Sequence, residues 1–322
     1  MASPPIVLPE AYRPKAVPAG GVAGVCADIG GSFIKASRLA ADGALQPEIR
    51  VPTPAADWPG FCEALGALCA GLPAGVPLSL SIAGVFDPRS GIAKVANIPC
   101  IDGRRLGADL EAALGRPVAI ANDADCFVLA EALLGAGAGH PVVFGVILGT
   151  GVGGGLVAGG RIVEGAGGVA GEWGHGPVIR PAAPGAPPAP AFACGCGQTG
   201  CIDTVGSARG LERLDLFLHG EARDSRVIVE SWQAGEATAG AVVALWLDLL
   251  SGPLAMIVNA TGASAVPVAG GLANSAELLA LLDGAVRRGI LRRMDQPLVT
   301  ATQLGPNAGL LGAALRLGST AG

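Results

Sequence analysis

Three cysteines and one histidine in the middle of the chain have the types and the spacing of metal ligands. Cys194, Cys196 and Cys201 form a Cys-x-Cys-x₄-Cys cluster, and His175 precedes the proline-rich stretch before it. Three thiolates and one imidazole are the donor set of closed, tetrahedral zinc sites. The alternative for the histidine alone is a buried core residue with satisfied hydrogen bonds. Together with the cysteine cluster, His175 is predicted to be the fourth ligand of a structural Zn²⁺.

A glycine turn near the N-terminus combines backbone donors with a carboxylate and a lysine. Its candidate phosphate-binding residues are Asp28, Gly30, Gly31, Ser32 and Lys35. The glycines let the backbone approach a phosphate, Ser32 adds a hydroxyl donor, and Asp28 can hold a hydrated Mg²⁺. The alternative is an ordinary tight hairpin closed by a buried aspartate. Lys35 favours the phosphate interpretation, because lysine is rare in this chain.

A second glycine turn, Gly149-Thr150-Gly151, follows the apolar run 141–148. It is not followed by a helical pattern and lacks an acidic residue at the ribose spacing, so a Rossmann dinucleotide site fits poorly. A second phosphate-binding loop fits better. The alternative is a glycine-rich turn that only permits close packing of strands.

A polar pair, Asn122 and Asp123, lies where an apolar strand at 117–121 turns into an amphipathic helix at 126–134. The carboxyl ends of strands are the usual ligand-facing edge of an open α/β sheet. The carboxylates of Asp123 and Asp125 could instead both be helix N-terminal caps. One of the two can also cap the helix while the other does chemistry.

The elements that must position these residues occur twice along the chain. A strand, a glycine turn, a second strand, a further turn and a third strand near 45–51 make up residues 22 to 51, and a similar series begins at residue 141. Helices and strands alternate elsewhere, which predicts an α/β protein with two similar lobes. The predicted division is an N-terminal extension at 1–24, a smaller lobe at 25–121 plus 307–322, and a larger lobe at 122–306 with a zinc-binding excursion at 175–203.

Composition narrows the possible partners. The 322 residues are 51% hydrophobic and carry a net charge of −5, with no basic stripe that would neutralise nucleic acid. The proline-rich N-terminus has no charged and apolar signal pattern, so we expect a cytoplasmic protein. Glycines are expected to interrupt each apolar run before it reaches membrane-spanning length, so no membrane association is expected.

The set and order of these motifs resemble the ROK family (repressors, open reading frames and kinases) from about Val22 to the C-terminus. Within the family, residues 122–180 and 194–203 are most similar to bacterial N-acetylglucosamine kinases. The resemblance implies an actin-like fold, a duplicated ribonuclease H-like architecture of two lobes that binds ATP and a sugar. It also implies Mg²⁺ with the ATP and the structural Zn²⁺.

The resemblance assigns roles to individual residues. Asn122 and Asp123 would bind the hydroxyl that is phosphorylated, with Asp123 as the base. The other sugar ligands implied are Asn97, Glu172, His175 and Asp203, and the residues beside the adenosine are Gly270 and Gly271. Asp203 stands where the family normally has glutamate, which places a direct sugar contact by this shorter side chain in question.

The expected activity is ATP-dependent phosphorylation of the 6-hydroxyl of a hexose or an N-acetylhexosamine, with N-acetyl-D-glucosamine as the first candidate. Glucokinase, N-acetylmannosamine kinase and fructokinase are alternatives within the family. A non-catalytic sugar sensor is a further alternative. A repressor is not expected, because the residues before Asp28 are proline-rich and do not resemble a helix-turn-helix module. We also expect a homodimer.

Overall fold

A computed structural model describes residues 6–14, 21–179, 190–221 and 223–319. The chain forms two compact units. The first contains the chain up to Ala130, Glu164–Val169 and the chain from Pro306 onward, and the second contains Glu131–Val163 and Ala170–Gly305. The sequence-based lobes placed the first boundary earlier, after residue 121, and left Glu164–Val169 in the larger lobe.

The first unit is built on a five-stranded sheet in the order β3-β2-β1-β4-β7. β1 to β3 are antiparallel, whereas β1, β4 and β7 are parallel. β1 is buried along nearly its whole length, as its continuous apolar sequence requires of a central strand. The strands are β1 (Val22–Ile29), β2 (Phe33–Ala40), β3 (Ile49–Pro52), β4 (Leu78–Ile82), β5 (Val85–Phe86), β6 (Ala93–Lys94) and β7 (Val118–Asn122). The helices are α1 (Trp58–Leu68), α2 (Leu106–Leu114), α3 (Asp123–Leu134), which continues into the second unit, and α9 (Ala308–Ser319).

The second unit repeats the same arrangement. Its five-stranded sheet has the order β10-β9-β8-β11-β12, with the first three strands antiparallel and the last three parallel. The strands are β8 (Val142–Leu148), β9 (Val152–Ala158), β10 (Arg161–Ile162), β11 (Val266–Ala269) and β12 (Val299–Ala301). The helices are α4 (Asp203–Gly206), α5 (Ala208–His219), α6 (Ser225–Gln233), α7 (Ala237–Thr261) and α8 (Ala276–Gly289). Two sheets with one topology are the duplication that the sequence predicts.

Two predicted element boundaries differ from the structure. The third strand was expected from about residue 45, but Leu45 forms only an isolated bridge to Leu39, and β3 begins at Ile49. The helix expected from Cys126 begins at Asp123, because a side chain just before it caps the first turn. Both differences arise from contacts that hydrophobic periodicity does not report.

Helix α7 is the core helix of the second unit. Trp246, Leu250 and Leu254 are fully buried, and the Trp246 indole donates to the Gly206 carbonyl oxygen at 3.0 Å. By length and composition this helix alone, among the described residues, could span a membrane. Gly240 and Gly252 do interrupt the apolar sequence of α7, but they do not keep it below membrane-spanning length and hydropathy as we expected. Its apolar surface packs against α5, α6 and α8, which is how a core helix uses such a sequence.

Candidate active site

The carboxyl ends of three parallel strands meet at one edge of the first sheet. Ile29 of β1, Ile82 of β4 and Asn122 of β7 lie in register, so the first glycine turn and the Asn122-Asp123 pair share that edge. Asn97 lies against the first glycine turn at this edge. Its carbonyl oxygen would be 3.3 Å from a Cβ added at Gly31. The structure thus brings together the predicted site residues of the first unit.

The first glycine turn is closed mainly by nearby backbone. The Gly30 amide donates to the Phe33 carbonyl oxygen at 3.0 Å, and the Thr53 hydroxyl donates to the Gly30 carbonyl oxygen at 2.7 Å. Ser32 is exposed at the tip of the turn. Its hydroxyl is therefore accessible to a ligand, as the phosphate interpretation requires.

Asp28 lies in a mostly buried position opposite Lys35 on β2. Its carboxylate accepts a hydrogen bond from the Ser81 hydroxyl at 2.7 Å, and a Cβ added at Gly309 in α9 would lie 2.6 Å from it. Burial raises the pKa of Asp28, while the Ser81 hydrogen bond and the Lys35 charge oppose that rise. The Lys35 ammonium donates to the Pro306 carbonyl oxygen at 3.3 Å, so it already serves to hold the start of the C-terminal segment.

Asn122, rather than Asp123, caps helix α3. Its side-chain oxygen accepts from the Ala124 and Asp125 amides at 2.7 and 3.2 Å, and its side-chain nitrogen donates to the Gly84 carbonyl oxygen at 2.7 Å. Asp123 is the first helical residue, where a negative charge is favoured by the helix dipole. Its carboxylate accepts from the next amide, that of Ala124, at 2.9 Å. Because the N-cap already exists, capping does not explain an aspartate at position 123.

The second glycine turn is held by distant partners. The Ala208 amide at the start of α5 donates to the Gly149 carbonyl oxygen at 2.8 Å. Gly270, with a φ of +95°, lies so close that an added Cβ would be 2.3 Å from the Leu148 carbonyl carbon. Thr150 is exposed at the tip. Two predicted ligand loops, at 149–151 and 270–271, are thus in direct contact.

A cavity of about 280 Å³ opens beside Gly271 in the second unit. Its walls include Arg226 and Gln233 of α6. They also include Asn274 and Ser275, which lie just after Gly271 in the chain. Sequence reasoning found only the glycines, because α6 carries no motif and reaches the cavity through its packing. A second cavity, of about 180 Å³, lies beside Asn122 in the first unit and also includes Phe86 and Asp87, which no motif indicated.

The four predicted metal ligands converge in the second unit. The ligand atoms of His175, Cys194, Cys196 and Cys201 all lie within 4.8 Å of one another. Cys194 Sγ is 3.6 Å from His175 Nδ1, and Cys196 Sγ is 3.7 Å from Cys201 Sγ. Zinc–sulfur bonds of about 2.3 Å place two tetrahedral ligands roughly 3.8 Å apart. The residues therefore fit a tetrahedral zinc ion in both donor type and spacing.

The thiols of this cluster have different environments. A hydrogen bond from the Gln198 backbone lowers the pKa of Cys196 to about 7, whereas burial raises the pKa of Cys194 to about 11. Thiolates are the form that binds metal. Cys196 is thus the cysteine of this cluster whose surroundings favour the metal-binding form without an ion.

His175 presents its two ring nitrogens to different groups. Nδ1 faces the cysteine cluster, and Nε2 lies 3.9 Å from a carboxylate oxygen of Glu172. Both side chains are about one-third exposed, at 35% and 36%. Trp173 lies between Glu172 and His175 in the sequence. Its indole donates to the Gly153 carbonyl oxygen of β9 at 2.9 Å and so attaches residues 172–175 to that strand. A ligand of the cysteine cluster can therefore also present a polar group to solvent or substrate.

The two units together define an α/β protein with duplicated sheets and a glycine turn after the first strand of each sheet. A family model described as the ROK family matches residues 24–317. The chain therefore belongs to the ROK family, and the predicted family and actin-like fold class are confirmed.

Individual relatives agree with this assignment. The N-acetyl-D-glucosamine kinase of Pasteurella multocida is 37% identical over 239 residues, which cover 74% of this chain and 79% of that protein. The crystal structure of a ROK hexokinase from Thermus thermophilus is 34% identical with a TM-score of 0.78, covering 93% of this chain and 99% of the other. A ROK glucokinase from Streptomyces griseus in complex with glucose and AMPPNP is 28% identical with a TM-score of 0.67, covering 90% and 97%.

Proposed function

We propose that the protein is an ATP-dependent sugar kinase that phosphorylates the 6-hydroxyl of N-acetyl-D-glucosamine. The names of the relatives, an N-acetylglucosamine kinase, a hexokinase and a glucokinase bound to an ATP analogue, support a sugar kinase. Glucose, N-acetylmannosamine and fructose are the alternative substrates. The predicted homodimer and cytoplasmic location stay predictions.

The observation that carries the proposal is the division of labour between Asn122 and Asp123. Asn122 caps α3 with its side-chain oxygen and holds Gly84 with its nitrogen, so it fixes the strand–helix junction. Asp123 follows this cap directly, so its carboxylate is positioned at the ligand-facing edge of the sheet. We propose that this carboxylate accepts the proton of the sugar hydroxyl.

A carboxylate is a sufficient base for this reaction. Phosphoryl transfer passes through a loose transition state, so positioning and charge stabilisation supply most of the catalysis. Asp123 would take up the proton late in the transfer. The proposed sugar ligands are Asn97, Asn122 and Asp123 of the first unit and Glu172 and His175 of the second.

Backbone amides of both glycine turns would hold the phosphates. The proposed donors are Gly31 and Ser32 of the first turn and Thr150 and Gly151 of the second. The amides of Gly30 and Gly149 donate within their own turns, to the carbonyl oxygens of Phe33 and Gly151, so these two glycines would only let the backbone approach the phosphates. Asp28 would hold the Mg²⁺ that accompanies ATP and neutralises phosphate charge when bound. The adenosine would lie by Gly270 and Gly271, in the cavity that α6 lines.

The cysteine cluster would hold a structural Zn²⁺ through His175, Cys194, Cys196 and Cys201. When bound, this ion would supply rigidity rather than a reactive centre, since all four positions are taken by protein. His175 would then be fixed through Nδ1, with Nε2 and the neighbouring Glu172 directed at the sugar. A ligand oriented in this way is typical of metal sites that support a neighbouring binding site.

The test combines a substrate screen with one substitution. ATP consumption should be measured with N-acetylglucosamine, N-acetylmannosamine, glucose, mannose and fructose. On the best sugar, Asp123→Asn should lower kcat by at least about 100-fold, as is usual for loss of a general base. Asparagine keeps the shape, and loss of one negative charge in the first turn of a helix costs only about 0.3 to 1 kcal/mol, so the thermal midpoint should fall by no more than a few degrees.

Asp109→Asn is the matched control, because Asp109 also lies in the first turn of a helix in the same unit. Its kcat should equal that of the parent. If Asp123→Asn keeps more than about a tenth of the parental kcat, Asp123 is not the base. Sugar binding without any turnover in the parent would favour the non-catalytic sensor instead.

A further inference from the structure

Asp203 was expected to contact the sugar, but its carboxylate is directed at the second glycine turn. One oxygen, Oδ1, accepts a hydrogen bond of 2.7 Å from the backbone amide of Val152, the first residue after that turn. The other oxygen, Oδ2, lies 3.9 Å from Cys194 Sγ. One oxygen is thus engaged by the turn, and the other lies beside the predicted metal cluster.

The backbone of the same residue makes a second connection. The Asp203 amide donates to the Gly174 carbonyl oxygen at 2.8 Å, within the turn that carries Glu172 and His175. The Ser207 hydroxyl donates to the Asp203 carbonyl oxygen at 2.9 Å, and the next residue, Ala208, holds Gly149. Asp203 therefore lies where three segments of the second unit are joined.

The space around Gly151 is a second observation that links the Asp203 carboxylate to the second glycine turn. A Cβ added at Gly151 would lie 2.7 Å from Asp203 Oδ1. The φ of Gly151 is not in the left-handed region, so the backbone conformation does not require glycine here. The missing side chain instead makes room for the carboxylate.

We propose that Asp203 is a positioning residue for the phosphate-binding turn 149–152 rather than a ligand of the sugar. With the side chain of an aspartate, the carboxylate lies at hydrogen-bonding distance of the Val152 amide. This carboxylate accepts a hydrogen bond from the last residue of the turn, Val152, and the Ala208 amide donates one to the first, Gly149. The proposal rests on the proposed function in that the turn binds the phosphates of ATP.

A sugar ligand and a positioning residue at 203 predict different effects of substitution: the first a loss of affinity for the sugar, the second a loss of affinity for the nucleotide. Loss of a hydrogen bond to a charged group should weaken the affinity for one ligand by roughly tenfold or more. A sugar ligand would show this loss in the sugar affinity. A positioning residue shows it in the nucleotide affinity.

The experiment compares Asp203→Ala, Asp203→Asn and Gly151→Ala in the full chain. Calorimetry with AMPPNP and with the best sugar measures both affinities without turnover, and KM for ATP is measured alongside. Asp203→Ala should weaken AMPPNP binding about tenfold and change sugar affinity less than twofold. Asp203→Asn keeps the acceptor oxygen and should stay within about threefold of the parent.

Gly151→Ala should reproduce the nucleotide defect, because its methyl group displaces the carboxylate. The double variant Gly151→Ala/Asp203→Ala should be no worse than either single variant, since both remove one contact. Zinc content, measured in each variant, should stay at the parental level. A loss of sugar affinity as large as the loss of AMPPNP affinity, or no loss of either, would overturn the proposal.

Hydrogen exchange gives a readout that requires neither nucleotide nor activity. The Val152 amide should exchange faster in Asp203→Ala than in Asp203→Asn, because only alanine removes the acceptor. If the parent phosphorylates no sugar but this difference is found, the proposed function fails and the positioning role stands. Equal exchange in both variants would contradict the positioning role even if the kinase assay succeeds.

Discussion

The two glycine turns follow equivalent strands of sheets with one topology, yet they are held in different ways. The turn after β1 is closed by its own backbone and by Thr53 on the neighbouring segment. The turn after β8 also has a hydrogen bond of its own backbone, from the Gly149 amide to the Gly151 carbonyl oxygen at 3.1 Å, but in addition it contacts Asp203, Ala208 and Gly270, which lie far along the chain. A duplicated backbone topology therefore does not imply duplicated support.

This difference has a physical origin in chain connectivity. A turn closed by nearby residues loses little additional chain entropy, whereas distant partners must first be brought together by the core of the unit. The conformation of the second turn consequently depends on the folding of α4, α5 and the cysteine cluster. We expect changes in those elements to reach it and to leave the first turn unaffected.

The largest contrast should come from replacing one glycine beside each turn with alanine. Gly270 has a φ of +95°, and its Cβ would meet backbone at 2.3 Å, so Gly270→Ala should cost about 4 kcal/mol or more of unfolding free energy. Gly30 has only the Phe33 carbonyl oxygen at 3.5 Å, an ordinary contact, so Gly30→Ala should cost less than about 1 kcal/mol. Denaturant unfolding of both variants measures the difference, and equal costs would remove the distinction between the turns.

A smaller contrast concerns an ion pair in each unit. Asp215 of α5 is fully buried and accepts bonds of 2.8 and 2.9 Å from Arg223 Nε and Nη2. Asp215→Asn should destabilise the protein by about 3 kcal/mol at pH 7, because it breaks a buried pair. Asp109→Asn breaks an exposed pair with Arg104 and should cost between about 0 and 1 kcal/mol.

The Asp215 effect should also depend on pH. Hydrogen bonds from Arg223 are the main cause that lowers the pKa of Asp215. A lowered folded-state pKa contributes stability above the unfolded pKa of about 4, and this contribution is lost as pH falls through the folded value. Unfolding free energies of the parent and Asp215→Asn should therefore converge as the pH falls below about 4, and a gap that stays constant on acidification would contradict the assignment.

The smallest of the three effects should follow removal of the metal. Cys196→Ser should lose zinc and weaken sugar binding about tenfold. This is the smallest loss usual when residues that support a metal site are changed, which is about 10- to 100-fold. Cys62→Ser is the control, because Cys62 is a partly exposed cysteine of the first unit, away from the cluster. Metal analysis and sugar calorimetry test both variants. A zinc-free protein with full sugar affinity would show that the cluster does not support the site.

The sequence by itself determined the family and the fold class, and it predicted the four residues of the candidate metal site that the structure brings together. Each of these rests on local information, because a glycine turn after a strand or a Cys-x-Cys-x₄-Cys cluster acts through residues that are neighbours in the chain. The order of the motifs then identified the family without any coordinates. The roles of the individual site residues stay predictions.

Only the tertiary structure decided which residues support the site. Asn122 is the helix cap because its side chain meets both the first turn of α3 and Gly84, and the sequence left Asp123 equally eligible. Asp203 faces Val152, a contact across some fifty residues that no local pattern encodes. Such contacts depend on where packing places each backbone group, since a hydrogen bond requires a donor and an acceptor within about 3 Å.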